Sequence, residues 1–215
     1  MNIQQNIQEI KKITSDSVKI VAVTKNRSLD DILEVINCGV TDIGENRLQE
    51  AKNKLSDLPK DIIKHFIGRL QSNKVKDVIK LFDVIQSMDS IKVAEKINKE
   101  CENICKIMPI LIQVNTSSKT QQGGIDPNEA IGLIKKASQL RNIKIEGLMT
   151  IAINSNNSED VRYCFKKLKN LFDEIRQKNI PRVDMKWLSM GMSGDYKLAL
   201  DCGTTMIRIG SSLFR

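Results

Sequence analysis

The stretch VKIVAVTK, residues 18–25, decides the fold, because it contains the first buried strand and ends on polar residues. Its closely spaced valines and isoleucine predict a strand that is buried on both faces. Thr24 and Lys25 stand at the carboxyl end of this strand. Ser28 then has the position of a helix N-cap, and Gly39 follows an apolar helical stripe, so the sequence predicts a strand–helix unit.

The same unit recurs along the whole chain. Further strands are predicted at residues 40–44, 62–68, 82–87, 108–115, 144–151, 183–189 and 204–209. Amphipathic helical segments separate them, and an extra helix precedes the first strand, where isoleucines recur at residues 3, 7, 10 and 13. Strands that alternate with helices must pair in parallel, since each helix returns the chain to the same end of the sheet.

Eight such units in about 200 residues predict a closed (β/α)8 barrel of the TIM type. An open, doubly wound sheet is the alternative. No linker or change of composition divides the chain, so we expect one domain over residues 1–215. The polar stretch SSKTQQGG, residues 117–124, is expected to form a flexible loop on the active face of the barrel.

Composition limits the classes of partner. The chain has 34 Lys and Arg against 26 Asp and Glu, a net charge of +8, but no dense basic run with interleaved aromatic residues. We therefore expect a solvated basic surface and no nucleic-acid site. No run of about 18 apolar residues is present, and the polar N-terminus is unlike a signal peptide, so neither a membrane span nor secretion is expected.

Five cysteines at irregular spacing argue against a disulfide framework. A single histidine leaves too few ligands for a zinc site. We expect reduced thiols and a cytoplasmic protein.

In a barrel, functional residues gather at the carboxyl ends of the strands. Lys25 is the first candidate, because an amine in a dry barrel mouth should have a lowered pKa and could form a Schiff base with an aldehyde. The alternative is a lysine that reaches solvent or binds an acid. The position alone leaves both open.

The segment RIGSS, residues 208–212, is the second candidate. Gly210 and Ser211 would present free backbone N–H groups where a helix begins, an arrangement that suits a phosphate group. The alternative is a simple N-cap in a serine-rich turn. SMGMS, residues 189–193, could add to the same site or form a turn without function.

These pieces together resemble the pyridoxal phosphate homeostasis protein family, single-domain relatives of the alanine racemase barrel. The resemblance follows the family's order over nearly the whole chain. The matching stretches are VAVTK (21–25), DIGENRLQEA (42–51), HFIGRLQSNK (65–74), GLMTIA (147–152), LSMGMSGDYKLAL (188–200) and GTTMIRIGSSLF (203–214). The combination is highly specific, although each motif alone is weak.

The resemblance implies pyridoxal 5'-phosphate (PLP) as cofactor, with Lys25 as the Schiff-base lysine and Arg208 facing the pyridine nitrogen. It also implies that Asn46 lies near the ring and Met190 packs beside it. The implied cofactor-binding residues are Lys25, Asn46, Ser193, Arg208, Gly210 and Ser211.

The function implied is a carrier or buffer in intracellular PLP homeostasis that keeps the reactive aldehyde from unwanted amines and releases PLP to apo PLP-dependent enzymes. We expect a monomer with neither nucleic acid nor membrane as partner. A guanidinium can only donate hydrogen bonds, so Arg208 would keep the ring nitrogen unprotonated and weaken it as an electron sink. We therefore expect no efficient catalysis.

A weak racemase or another PLP-dependent enzyme is the alternative. A racemase needs proton donors on both faces of its carbanion, and alanine racemases obtain one from a tyrosine of a further β domain, for which these 215 residues leave no room. Tyr163 and Tyr196 fall in predicted helices. Solvent or His65 could supply the base, although a lone histidine is more often a packed residue. A cofactor-free nucleic-acid module is the third hypothesis.

The chain departs from the family at two places. Arg47 follows the GEN segment, where the family often has an aromatic residue, and this could change stacking or charge near the ring. The family also usually continues past the phenylalanine that corresponds to Phe214 with a glycine-containing tail, so part of the phosphate cover could differ here.

Overall fold

The computed structural model describes residues 2–117 and 123–214. In these residues eight parallel strands form a closed barrel whose order follows the chain and in which the first strand pairs with the last. The strands are β1 (Lys19–Val23), β2 (Asp42–Glu45), β3 (Ile63–Phe66), β4 (Val84–Met88), β5 (Met108–Gln113), β6 (Ile143–Met149), β7 (Val183–Ser189) and β8 (Met206–Ile209). The predicted TIM-type barrel is confirmed, and the open doubly wound alternative is wrong.

Helices connect the strands and surround the barrel. They are α1 (Ile3–Ile13), α2 (Leu29–Asn37), α3 (Leu48–Lys52), α4 (Val75–Leu81), α5 (Ile91–Glu102), α6 (Pro127–Ala137), α7 (Ser158–Gln177) and α8 (Tyr196–Asp201), with short 3-10 turns at Leu55–Asp57 and Ser72–Lys74. Among the described residues, none of these helices is both long and apolar enough to cross a membrane. The centre of the predicted loop at 117–124, residues 118–122, lies outside the described residues.

Local capping explains why the first strand–helix unit forms where it does. Ser28 Oγ accepts the backbone N–H of Asp31, and the Asp31 carboxylate accepts the backbone N–H of Ser28. This capping box satisfies two N–H groups at the start of α2. The helix ends at Cys38, and Gly39 follows with a φ of +78°, a left-handed conformation that glycine adopts without strain.

The extra N-terminal helix covers the barrel close to its last strand. Asn2 caps α1 through a second capping box, and Ile7 and Ile10 are buried in the apolar layer beneath it. Asn6 donates from Nδ2 to the carbonyl oxygen of Leu213 at 3.0 Å. The helix therefore holds the turn that follows β8, which is the predicted phosphate turn.

Two different sets of side chains fill the protein. A large apolar cluster lies between the strands and the surrounding helices. A much smaller apolar cluster, Val21, Leu111, Met149 and Met206 with Trp187 packed against it, is separate from that layer. Since strand residues alternate between the two faces, these side chains fill the inside of the barrel. Buried polar side chains occupy the rest of the interior.

Candidate functional site

The predicted binding residues lie at one end of the barrel. Lys25 follows β1, Asn46 follows β2 and Ser193 follows β7, while Gly210 follows β8. The strands β7, β8, β1 and β2 are consecutive in the barrel, so their carboxyl ends form one continuous rim. Gly210 lies against β1, because a Cβ built on it would be 3.5 Å from Val23 Cβ. The lysine and the glycine-serine turn are therefore neighbours.

Lys25 is held through its neighbours along the chain, and its own side chain is exposed. Thr24 Oγ1 donates to Glu45 Oε1 at 2.7 Å, and the backbone N–H of Asn26 donates to Glu50 Oε2 at 3.1 Å. The dry barrel mouth expected around this amine is not found, because the rim leaves the lysine in contact with solvent.

Glu45 is a buried carboxylate next to this lysine that the sequence analysis did not single out. Burial raises its pKa, and the hydrogen bond from Thr24 and the charge of Lys54 oppose that rise. Lys54 Nζ lies 3.7 Å from Glu45 Oε1 and 3.7 Å from Glu50 Oε2. Lys54 thus links the two glutamates that bind Thr24 and Asn26, the residues on either side of Lys25. An acidic residue at the last position of a buried strand was the available signal.

The loop after β7 and the turn after β8 meet on a serine hydroxyl. Ser193 Oγ accepts the backbone N–H groups of Gly210 and Ser212, both at 3.2 Å, and Ser212 Oγ donates to the carbonyl oxygen of Ser193 at 3.3 Å. Backbone N–H groups that converge on one oxygen form a concave site suited to an anion. The predicted residues Gly210, Ser211 and Ser193 are brought together, and Ser212 joins them.

Gly191 allows the β7 loop to take this position. Its φ is +96°, and a Cβ at this residue would approach Ala199 Cβ to 2.6 Å. The carbonyl oxygen of Gly191 accepts the backbone N–H of Arg208 at 2.9 Å, and Asp195 accepts that of Met192 at 2.6 Å. The loop therefore rests on α8 and on β8, with Ser193 at its tip.

Arg208 is a buried cation inside the barrel below this rim, with 3% of its surface exposed. Nη1 donates to Ser189 Oγ at 2.6 Å, and Nη2 donates to the carbonyl oxygen of Thr150 at 2.7 Å. Burial lowers the pKa of Arg208 to about 10, a shift that the charge of Asp195 opposes, so the guanidinium stays charged at neutral pH. Within the described residues no carboxylate forms an ion pair with it.

His65 lies deeper in the barrel and is 2% exposed. Its Nε2 lies 2.8 Å from Asp42 Oδ1, and its Nδ1 lies 3.0 Å from Gln86 Nε2. Asp42 also pairs with Lys19 at 2.9 Å. The histidine is therefore a packed residue in a polar network, as expected for a lone histidine, and it is not at the rim.

Residues 1–215 match the family described as alanine racemase, N-terminal domain. The pyridoxal phosphate homeostasis protein of Pasteurella multocida (strain Pm70) is 36% identical over 216 residues, which span 99% of this chain and 92% of that protein. The chain belongs to the pyridoxal phosphate homeostasis protein family. The resemblance read from the motifs is thereby confirmed.

Solved structures of a relative have the same barrel. PipY of Synechococcus elongatus PCC7942, solved without PLP, gives a TM-score of 0.94 at 32% identity and covers 100% of both chains. The structure of PipY with PLP bound gives a TM-score of 0.90 at 33% identity, again with 100% of both chains covered.

Three further residues that the family resemblance singled out, Asn46, Arg47 and Met190, differ in their burial. Asn46 is half-buried, and its Oδ1 is buried without a hydrogen-bond partner in residues 2–117 and 123–214. Arg47 is 72% exposed and pairs with Glu50 at 3.3 Å, so its charge is directed to solvent. Met190 is buried in the layer between strands and helices, not in the barrel interior beside the mouth.

Neither tyrosine of the chain is placed for chemistry at the rim. Tyr163 lies on α7 and is 64% exposed. Tyr196 begins α8, and burial together with the charge of Glu9 on α1 raises its pKa. Tyr196 is partly buried and packs against the apolar cluster between the strands and the helices.

Proposed function

We propose that this protein is a cytoplasmic carrier and buffer of PLP that holds the cofactor as a Schiff base on Lys25. One observation carries the proposal: the amine of Lys25, the buried guanidinium of Arg208, which has no carboxylate partner among the described residues, and a cradle of backbone N–H groups lie at or just below one rim, on adjacent strands. The name of the Pasteurella multocida relative and the PLP-bound PipY structure support it.

The residues present fit the chemical groups of PLP. The N–H groups of Gly210 and Ser212, which donate to Ser193 Oγ in this structure, would suit a phosphate oxygen in its place. Arg208 has donors to spare beyond its two hydrogen bonds, and a ring nitrogen with a free lone pair would give this buried cation an acceptor. Asn46 Oδ1, buried and unpartnered in the described residues, could accept a further hydrogen bond at the same rim.

Bound PLP supplies an aldehyde that amines attack and a ring that withdraws electrons. Lys25 would hold the cofactor through its amine, which can condense with an aldehyde with loss of water. The exposure of Lys25 gives water access for the reverse reaction. An exposed amine above the buried guanidinium of Arg208 favours reversible binding and release of the cofactor, which a carrier requires.

The same residues limit catalysis on amino acids. Arg208 can only donate a hydrogen bond and so keeps the ring nitrogen unprotonated. Of the bases considered from the sequence, only Lys25 lies at the rim, since His65 lies in the barrel interior and both tyrosines belong to the helical layer. The proposal therefore assigns PLP transfer, and not racemisation, as the main activity.

The proposal extends to the whole protein. We assign the entire chain, residues 1–215, to one PLP-binding domain that acts as a monomer. Its proposed macromolecular partners are apo PLP-dependent enzymes, with neither nucleic acid nor a membrane surface involved.

The experiment combines spectroscopy with cofactor transfer. Protein loaded with PLP should absorb as a Schiff base, and borohydride should fix the cofactor on Lys25, as read by peptide mapping. Lys25→Ala should lose this absorption and keep its fold, while the control Lys12→Ala, an exposed lysine of α1, should retain it. Label on another lysine would refute the assignment.

Transfer separates the carrier from the weak racemase. Loaded protein mixed with an apo PLP-dependent enzyme should restore that enzyme's activity. Exchange of the amino-acid Cα proton for deuterium at ordinary enzymatic rates, abolished by Lys25→Ala, would instead favour the racemase.

A further inference from the structure

A chain of hydrogen bonds runs through the barrel interior from Arg208 to Asp42. Arg208 Nη1 donates to Ser189 Oγ at 2.6 Å, and Ser189 Oγ donates to Gln86 Oε1 at 2.7 Å. The Gln86 amide nitrogen lies 3.0 Å from His65 Nδ1, and His65 Nε2 lies 2.8 Å from Asp42 Oδ1. The chain therefore crosses β8, β7, β4, β3 and β2.

The direction of this chain is fixed at both ends. A guanidinium can only donate, and an ionised carboxylate can only accept. Between them, Gln86 Nε2 must donate to His65 Nδ1, which requires the imidazole proton to be on Nε2, where it faces Asp42. Gln86 Nε2 also contacts Met206 Sδ at 3.3 Å, and this places the amide nitrogen on the histidine side.

Every link of the chain is shielded from water. Arg208 and Asp42 are 3% and 2% exposed, and Ser189 and Gln86 are fully buried. A buried polar group that loses its partner pays the full desolvation cost, so each member constrains the next. Asp42 is itself fixed by Lys19 at 2.9 Å and by Thr41 Oγ1 at 2.8 Å.

We propose that His65 is a positioning residue that sets the orientation of the Arg208 guanidinium through Gln86 and Ser189. The inference rests on the proposed function, in which Arg208 meets the ring nitrogen of PLP. His65 is three hydrogen bonds away from the guanidinium and acts only through this chain. Its role is to hold the guanidinium plane, so that the free N–H groups are directed to one place at the rim.

The first test replaces the imidazole and compares PLP binding with that of the wild type. His65→Phe removes both hydrogen bonds, and His65→Gln keeps a donor for Asp42 and an acceptor for Gln86. His65→Phe should raise the dissociation constant of PLP roughly tenfold and shift the absorption maximum of the bound cofactor. His65→Gln should restore the wild-type constant and spectrum.

A matched control separates positioning from general loss of stability. Lys106 does not belong to this series of hydrogen bonds. Its half-buried amine donates to the carbonyl oxygens of Ile79 and Phe82, both at 2.7 Å. Lys106→Met should destabilise the protein and leave the PLP constant and spectrum unchanged. A folded His65→Phe protein that matches the wild type, or a His65→Gln protein as impaired as His65→Phe, would overturn the inference.

The second test needs no cofactor and holds even where His65→Phe does not fold. Nitrogen-15 NMR of the wild-type protein should place the imidazole proton of His65 on Nε2, and a proton on Nδ1 would contradict the proposed direction. Absence of PLP binding by the wild type would refute the proposed function, whereas normal binding with unaltered spectra in the folded His65 variants would refute only the role of His65.

Discussion

The two layers inside this barrel protein have opposite chemistry. Between strands and helices the side chains are apolar, as for Ile43 and Phe165, which are fully buried. Inside the barrel a few apolar residues share the space with the buried polar side chains of Asp42, His65 and Gln86. The outer layer buries the greater apolar area and drives folding. Polar groups fill part of the interior, and they hold one buried cation, Arg208, in place.

The comparison also separates two kinds of requirement. An apolar layer tolerates substitutions that keep volume and polarity, since its interactions have no preferred direction. A hydrogen-bond chain tolerates few, since each donor needs its acceptor. Substitutions in the outer layer should therefore change stability, and substitutions along the interior and the rim should also change what Arg208 and Ser193 can bind.

The largest expected effect tests the outer layer. Phe165→Ala on α7 should lower the free energy of unfolding by about 3–5 kcal/mol, because it leaves a cavity in the apolar layer. Urea denaturation measures the loss. Phe165→Leu is the control and should lose less of the free energy of unfolding. The absorption of bound PLP should be unchanged in both folded variants. A change in that absorption would contradict the separation of the two layers.

The second effect tests the interior by its pH dependence. Burial raises the pKa of Asp42, but the hydrogen bonds from His65 and Lys19 and the charge of Lys19 outweigh it, so that the pKa lies below its ordinary value of 3.8. The stability that Asp42 contributes is therefore present above pH 3.8 and is lost as the pH falls through the lowered pKa. Asp42→Asn should cost about 1–3 kcal/mol at neutral pH and progressively less in acid, as measured by denaturation at several pH values.

Asp195 provides a control of opposite sign. Burial raises its pKa above 3.8, against the hydrogen bond from Met192 and the charge of Arg208. Its contribution is present below 3.8 and is lost as the pH rises through the raised pKa. Asp195→Asn should thus gain stability relative to the wild type as the pH rises. If the stability difference from the wild type changed with pH in the same direction for Asp42→Asn and Asp195→Asn, the environments assigned to the two carboxylates would be refuted.

The smallest effect tests the rim. Ser193→Ala removes the oxygen that accepts the N–H groups of Gly210 and Ser212, and should cost about 1 kcal/mol of stability. PLP affinity should fall roughly threefold to tenfold, as measured by absorption titration. Ser138→Ala at the buried end of α6, where the hydroxyl donates to the Lys135 carbonyl oxygen, should show a similar stability loss without the loss of affinity. Equal PLP affinity in both would remove Ser193 from the site.

Much of the fold could be predicted because its signals are local. The bounds of β7 agree with the predicted residues 183–189, and Ser28 caps α2 as expected. The short elements were predicted less well. The strand expected at 62–68 shortens to Ile63–Phe66, because pairing with neighbouring strands sets where a strand ends.

The candidate site was predictable only in part. Motifs and strand ends pointed to Lys25, Arg208 and Gly210, which lie at one rim or just below it. The partners Ser189, Thr150 and Gln86 were missed, since nothing within a single strand pairs a polar side chain with one far along the chain. Polar residues at alternate positions of buried strands were the available signal.

Spacing, capping and apolar period determined the strand–helix units, because these depend on residues a few positions apart. Closure of the barrel decided the rest. It pairs β1 with β8, which places Val23 against Gly210. It also decided that Lys25 is exposed and Arg208 buried, since burial depends on which strands and loops surround a side chain, and only the closed structure brings those together.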